Sequence, residues 1–233
     1  SCPPIGVHSH GMNALHVNTD LWSLTRNAWS PTWLKLNVRM ADVNLSLGGE
    51  FDNLIVAAGG NLYTILPAYN GIDEAWLASR PQVPNDHRQV KFLFVGRFDP
   101  QKGFVELDAA VKSLIDHPRF EMHFVGPIPE AQRLAAKNVV YHGEIRDEAT
   151  LRKLYQSCDV LVCPSYSEGM PTVILEAMAS GLAVIATNVG AVSVLVDDDT
   201  GYLIPPRDVS SLIDAMNAAM RDDLTAKKLA GRK

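Results

Sequence analysis

From residue 90 onward, short β-branched runs alternate with longer helical stretches, and this rhythm constrains the fold more than any other feature of the chain. Val90-Lys-Phe-Leu-Phe-Val95 reads as a strand, and residues 103–116 as a helix with Phe104, Leu107, Ala110, Val111 and Leu114 at helical spacing. Glu121–Val125 and Asn138–Tyr141 read as two more strands, and residues 147–157 as a helix opened by Asp147. Asp159 to Cys163 is nearly all apolar, which suits a strand covered on both faces. A helix over 171–180 closed by Gly181, strands Leu182–Ala186 and Tyr202–Ile204, and an amphipathic helix over 208–222 complete the series. The 208–222 helix puts Leu212, Ala215, Met216, Ala219 and Met220 on one face. Such alternation implies a parallel, doubly wound α/β sheet. Ligands of such sheets sit at the carboxyl ends of the strands, so the loops after Val95, Val125, Tyr141 and Cys163 are where function is expected.

Residues 1–89 have a different texture. They hold all four tryptophans (Trp22, Trp29, Trp33 and Trp76), with Pro31–Met40 as a candidate helix and Leu62–Leu66 as a candidate strand. Pro67–Gly71 reads as a turn and Pro81–Asp86 as a linker. The expected division is a partial N-terminal α/β domain over 1–70, a connector over 71–89, and a Rossmann-like C-terminal domain over 90–233.

The chain has 233 residues, 47% hydrophobic and 20% charged, which is a folded composition able to bury a core without staples. Lys and Arg number 21 against 26 Asp and Glu, a net charge of −5, which argues against sequence-independent nucleic-acid binding. No apolar run reaches the ~18 residues of a membrane helix. Ser1-Cys2-Pro3-Pro4 shows no basic-then-apolar leader. Cys2, Cys158 and Cys163 are too few and too scattered for a zinc site, and suit a reduced, cytoplasmic protein. Peripheral contact with the inner membrane face stays open.

Two loops could carry chemistry. In Ser165-Tyr-Ser-Glu168-Gly-Met-Pro171-Thr-Val-Ile-Leu-Glu176, a buried strand leads into a helix with Pro171 in its first turn, leaving the amides of Thr172, Val173 and Ile174 as helix-start donors for an anion. Gly169 lets backbone approach a ligand. Glu176, among apolar neighbours, either faces ribose-like hydroxyls or is an exposed helical glutamate. Glu168 either faces a ligand or closes a capping box with Ser165, a reading that would place Gly169 and Pro171 inside a helix. In Val95-Gly96-Arg97-Phe98-Asp99-Pro100-Gln101-Lys102-Gly103, two cations five residues apart follow a strand. They can converge on one anion, Arg as a fork and Lys as a point charge, or be two surface cations near Asp99.

With these motifs in this order, residues ~62–222 resemble the retaining glycosyltransferases of the GT-B fold known as glycosyltransferase family 4. Glu168 and Glu176 match the E-x7-E motif, and Gly96-Arg97 with Lys102-Gly103 match G-R-x(4)-K-G. Tyr69-Asn-Gly-Ile-Asp73, Asp159–Ser165 and Thr200–Pro206 resemble three further segments. The resemblance implies a nucleoside diphosphate sugar as donor and no other cofactor. It places Arg97 and Lys102 on the diphosphate, Glu176 on the ribose and Glu168 on the transferred sugar. Gly96, Gly169, Met170, Pro171, Thr172 and Val173 would line the donor site, and Ile145, within His142–Arg146, would lie by the base. Val7–Met12 resembles S-P-H-G-M, which makes His10 the histidine facing the reacting sugar, although His8 or His10 can equally be a surface histidine.

No metal is implied. Asp197-Asp-Asp199 contains D-x-D but falls where the family has a solvated acidic loop. Gly190–Val194 lacks the glutamate of the family's G-G-x-x-E, and Gly126-Pro127 replaces its G-x-G. The resemblance also implies that the first half of the N-terminal domain is missing and the last helix cut short. The acceptor would be a sugar or lipid-linked hydroxyl, and a homo-oligomer or a partner could supply the missing half. Two other classes stay in view: a GT-B nucleotide-sugar epimerase, which the paired motifs disfavour, and a non-catalytic nucleotide-sugar-binding subunit, which exposed apolar surface around Trp22, Trp29 and Trp33 would favour.

Overall fold

The structure, a computed structural model, describes residues 6–8, 30–77 and 89–232. They form two compact units. The first comprises the described part of residues 1–70 with residues 167–170 and 190–194, and the second the remainder.

The first unit runs β1 (Gly6–His8), α1 (Ser30–Met40), β2 (Val43–Ser46), α2 (Glu50–Ala57) and β3 (Ile65–Pro67). The three strands form a parallel sheet in the order β1-β2-β3, with Leu45 opposite Leu66. Val38, Leu47, Phe51, Ile55 and Ala58 are among the buried apolar residues of this unit, and the buried Asn44 side-chain amide donates to the Val38 carbonyl at 3.2 Å. The opposite side of α1 carries Trp33, Leu36 and Met40 exposed, whereas Trp22 and Trp29 lie outside the described residues. The strand expected over Leu62–Leu66 begins only at Ile65. Leu62–Thr64 is a 3-10 turn, because the Asn61 side chain accepts the Tyr63 amide at 3.0 Å and offers the backbone a cap in place of a ladder. Residues 167–170 and 190–194 join this unit by hydrogen bonds. The Glu50 amide donates to the Gly190 carbonyl at 3.1 Å, the Gly190 amide to the Glu50 carboxylate at 3.0 Å, and the Asn70 side-chain amide to the Met170 carbonyl at 2.7 Å.

The second unit contains β4 (Val90–Val95), α3 (Phe104–Leu114), β5 (Phe120–Val125), β6 (Val139–Gly143), α4 (Glu148–Ser157), β7 (Val160–Cys163), α5 (Thr172–Ser180) and β8 (Ala183–Thr187). After the short α6 (Val192–Leu195) come β9 (Gly201–Ile204), α7 (Val209–Arg221) and α8 (Thr225–Ala230). All six strands are parallel, in the order β6-β5-β4-β7-β8-β9. The chain winds outward in one direction from β4, returns, and winds outward the other way from β7. The reversal lies between these two strands, where Phe92 faces Val160 and Leu93 faces Leu161.

One face of this sheet, with Phe92, Phe94, Met122, Phe124, Val160 and Ile185, packs under α3 and α7. All five residues expected on the apolar face of the last amphipathic helix are buried. Burying each Phe, Leu, Ile, Val or Met side chain of this core contributes about 1.5–3 kcal/mol. Caps fix the helix starts: Asp147 accepts the Thr150 amide at 2.8 Å and Asp208 the Ser211 amide at 3.0 Å. Gly181, with φ 81°, closes α5 in the left-handed conformation. At the amino edge of the sheet, Lys228 of α8 reaches the buried Asp159 carboxylate at 2.7 Å. Residues 71–77, assigned from the sequence to the connector, fold with this unit, and Glu74–Trp76 is a 3-10 turn with Trp76 buried. The linker expected over Pro81–Asp86 lies outside the described residues.

Candidate functional site

The loops after β4 and β7 leave neighbouring strands at the reversal point, where an open α/β sheet has its ligand crevice. The first loop is shaped by Asp99, whose carboxylate accepts the Gln101 amide at 2.9 Å and caps a 3-10 turn over Pro100–Lys102. Gly103 then takes φ 65°, and α3 begins. A Cβ at Gly103 would run into the Pro164 carbonyl oxygen, so only glycine lets the two loops lie this close. The Tyr166 amide donates to the Gln101 carbonyl at 2.8 Å and ties them together. Arg97 is exposed, and Gly96 and Lys102 are half-buried.

Tyr166 is itself held. Its phenol donates to the Glu106 carboxylate at 2.6 Å, and the Arg207 guanidinium lies 4.7 Å from its ring centre. Burial and Glu106 push the phenol up to about 12. Arg207, with φ 62°, is the one positive-φ residue other than glycine among the described residues.

Helix α5 starts one residue later than expected. Pro171 is its cap, with φ −71° and ψ 121°, and Thr172 is its first residue. The Ile174 amide bonds the Pro171 carbonyl at 3.1 Å, so it is not a helix-start donor as the sequence suggested. Thr172 and Val173 remain, their amides lacking intrahelical acceptors by the geometry of a helix start. The capping box of Ser165 with Glu168 does not form, because the helix begins beyond both residues.

Glu176, one turn into α5, is half-buried. Its carboxylate accepts the Tyr155 hydroxyl of α4 at 2.9 Å. Burial raises its pKa, hydrogen bonds from Tyr155 and Thr172 oppose the rise, and Glu148 adds to it. Glu168, Gly169 and Met170 group with the first unit, where the Ala191 amide donates to the Gly169 carbonyl at 3.0 Å and Met170 is buried. Ile145 follows edge strand β6, on the same sheet edge as the β4 loop but two strands away. His10 lies outside the described residues.

The sequence reading missed Tyr155, the side chain that holds Glu176. It also missed the pair His123 and His142, whose ring nitrogens are 2.9 Å apart, with Glu121 2.7 Å from the other His123 nitrogen. Partial burial and His123 lower the pKa of His142. The signal for this pair was the Glu121-x-His123 alternation, which puts both residues on one face of β5. Among the described residues, no group of three or more His, Cys, Asp or Glu side chains is placed to hold a metal ion. Asp197, in the D-x-D run, turns its carboxylate onto the Asp199 and Thr200 amides at 3.1 and 3.0 Å. No helix of the described residues is long and apolar enough to cross a membrane.

The chain is 36% identical over 166 residues to a phosphatidyl-myo-inositol mannosyltransferase of Mycolicibacterium smegmatis, a match covering 66% of this chain and 42% of that protein. It is 26% identical over 237 residues to a sulfoquinovosyl transferase of Arabidopsis thaliana, covering 94% of this chain and 45% of that one. The chain thus spans less than half the length of the curated relatives it matches. Among solved structures, sucrose-phosphate synthase from Thermosynechococcus elongatus superposes with a TM-score of 0.74 at 25% identity, covering 97% of this chain and 61% of that one. The parallel sheet and this likeness give the chain the α/β architecture of GT-B glycosyltransferases. Residues 89–222, more than half of the chain, match the sequence profile of glycosyl transferases group 1, and the chain belongs to that family.

Proposed function

We propose that this chain provides the donor-binding part of a glycosyltransferase that moves a sugar from a nucleoside diphosphate sugar to an acceptor hydroxyl, with retention of anomeric configuration. The observation that carries the reading is the reversal point. There a cation-bearing turn, Arg97 to Lys102, is locked by Gly103 and Tyr166 against the loop that enters α5. Arg97 and Lys102 bind the diphosphate, and the Thr172 and Val173 amides supply oriented dipoles at the helix start. As the glycosidic bond breaks, negative charge grows on the leaving diphosphate, and fixed cations and amides stabilise that charge more than the ground state. Glu176 accepts from the ribose hydroxyls, and Ile145 lies by the base. Glu168 contacts the transferred sugar, and His10 serves the reacting centre. The acceptor is a sugar or lipid-linked hydroxyl, a class supported by the mannosyltransferase relative, whose name gives it a phosphatidyl-myo-inositol acceptor.

The test is calorimetric titration of Lys102→Ala with UDP, GDP, ADP and the matching nucleosides. Losing one phosphate-bound cation is expected to weaken the diphosphate about tenfold or more, from roughly 1.5–3 kcal/mol per charge-assisted hydrogen bond, while the nucleoside is unaffected. Equal losses for both would remove Lys102 from the phosphate site.

A further inference from the structure

Tyr155 lies at the end of α4 with no exposed surface, yet it carries a hydroxyl. A buried phenol needs a hydrogen-bond partner. Here the partner is Glu176, the carboxylate read above as the ribose acceptor, at 2.9 Å. Burial and that carboxylate push the phenol pKa well above its usual range, so the hydroxyl keeps its proton and donates. The ring is backed by Trp76, edge to face, with centroids 5.1 Å apart and planes at 84°. Trp76 is buried in the 3-10 turn Glu74–Trp76, which packs on α5. Arg152 lies over the far ring system at 6.0 Å and is held by Glu148 at 2.7 Å. Trp76, Tyr155 and Glu176 thus form one continuous stack and hydrogen bond, from a turn through α4 to α5.

An ionised carboxylate offers about four lone-pair sites. Tyr155 and Thr172 occupy part of that capacity and fix the plane of the group, which leaves acceptor directions for a pair of vicinal hydroxyls. A half-buried glutamate without such a strut would sample other rotamers and give up the geometry a diol requires. We infer that Tyr155, braced by Trp76, is a positioning residue that aims the Glu176 carboxylate at a ribose diol. This rests on the donor-site reading of Glu176 and adds which residues enforce the choice of ribose.

The experiment titrates the full chain, as wild type, Tyr155→Phe and Glu176→Gln, with UDP, GDP and ADP and with their 2′,3′-dideoxy counterparts. Tyr155→Phe keeps the ring on Trp76 and removes only the donor. It is expected to weaken the ribose form about tenfold, the low end of the scale of one hydrogen bond to a charged group, and to leave the dideoxy form unchanged. Trp76→Leu, which keeps the phenol and removes its brace, is expected to give the same selective loss, smaller in size. Equal weakening of both forms in Tyr155→Phe, or none, would overturn the inference. If Glu176→Gln discriminates the two forms while Tyr155→Phe does not, the ribose reading survives and the strut fails. If Glu176→Gln does not discriminate, or folded wild type binds none of the nucleotides, the ribose reading itself falls and the strut with it.

Discussion

The buried pair at the amino edge of the larger sheet gives the sharpest energetic prediction. Lys228 Nζ lies 2.7 Å from Asp159 Oδ1, with side chains 3% and 4% exposed, and Asp159 Oδ2 accepts the Lys91 amide at 3.0 Å. At an effective dielectric near 20 the gross attraction is about 6 kcal/mol, most of it offset by the desolvation of two ions. The intact pair therefore contributes little net stability, but removing one member takes from the other, still buried, its opposite charge. Lys228→Met takes the buried ammonium away from the Asp159 carboxylate and is expected to cost about 3–5 kcal/mol. For a chain of this size that is a fall in Tm of roughly 6–20 °C. Asp159→Asn should cost a similar amount by stranding the ammonium. The double variant should recover most of the loss, because an amide still accepts from Lys91 and no charge is left buried. Urea unfolding of the four proteins, followed by circular dichroism, closes the cycle. Additive losses, or a Lys228→Met cost below about 1 kcal/mol, would refute the argument that losing the opposite charge is what destabilises. Nucleotide binding by folded Lys228→Met should equal wild type, since the pair sits at the strand starts and the proposed donor site at the strand ends.

The site itself carries two further stability effects. Burial raises the Glu176 pKa above 4.5, so the fold holds that proton more tightly than the unfolded chain does; the group's contribution is fully favourable below 4.5 and is lost as pH rises through its folded pKa. Glu176→Gln is therefore expected to be more stable than wild type at pH 7, with the difference shrinking toward pH 4 in a series of thermal melts; a less stable variant at pH 7 would contradict this. Gly103→Ala places a side chain at φ 65° against the Pro164 carbonyl, and should lose more than the about 1–2 kcal/mol of a left-handed residue alone. An unchanged Tm would show that the two loops are not held at this distance by glycine.

The larger sheet was legible because its information is local. Each strand from Val90 to Ile204 is a short, largely apolar run, and the helices α3, α4, α5 and α7 carry their own periodicity, so period and punctuation place these elements within a residue or two, whereas α6 and α8, of four and six residues, were not read. The first unit was harder to read for the same reason. β2 has four residues and α2 eight, too short for periodicity to declare itself, and Asn61 turned an apparent strand at Leu62 into a 3-10 turn. At the site, the reversal point and its cations could be read because strand order and loop position follow from the winding of the fold. The E-x7-E spacing, however, joins residues that group with different compact units, a division that no local pattern announces.

What sequence order hides most completely is the contact between distant residues that orients a functional group. Nothing in Leu151–Cys158 marks Tyr155 as more than another apolar-face residue of an amphipathic helix. Its meaning appears only when α4 and α5 pack and its hydroxyl meets a carboxylate 21 positions later. The same packing explains why Glu176 tolerates apolar neighbours. Burial alone would drive it toward the neutral form, and hydrogen bonds from Tyr155 and Thr172 hold that tendency back. The fold thus accepts a carboxylate that weakens it at neutral pH, and Tyr155 and Thr172 limit that cost while leaving the acceptor directions a ligand would need. A site arranged in this way should show binding falling and stability rising when Glu176 is neutralised, whereas neutralising a merely structural glutamate would lower stability and leave nucleotide binding unchanged.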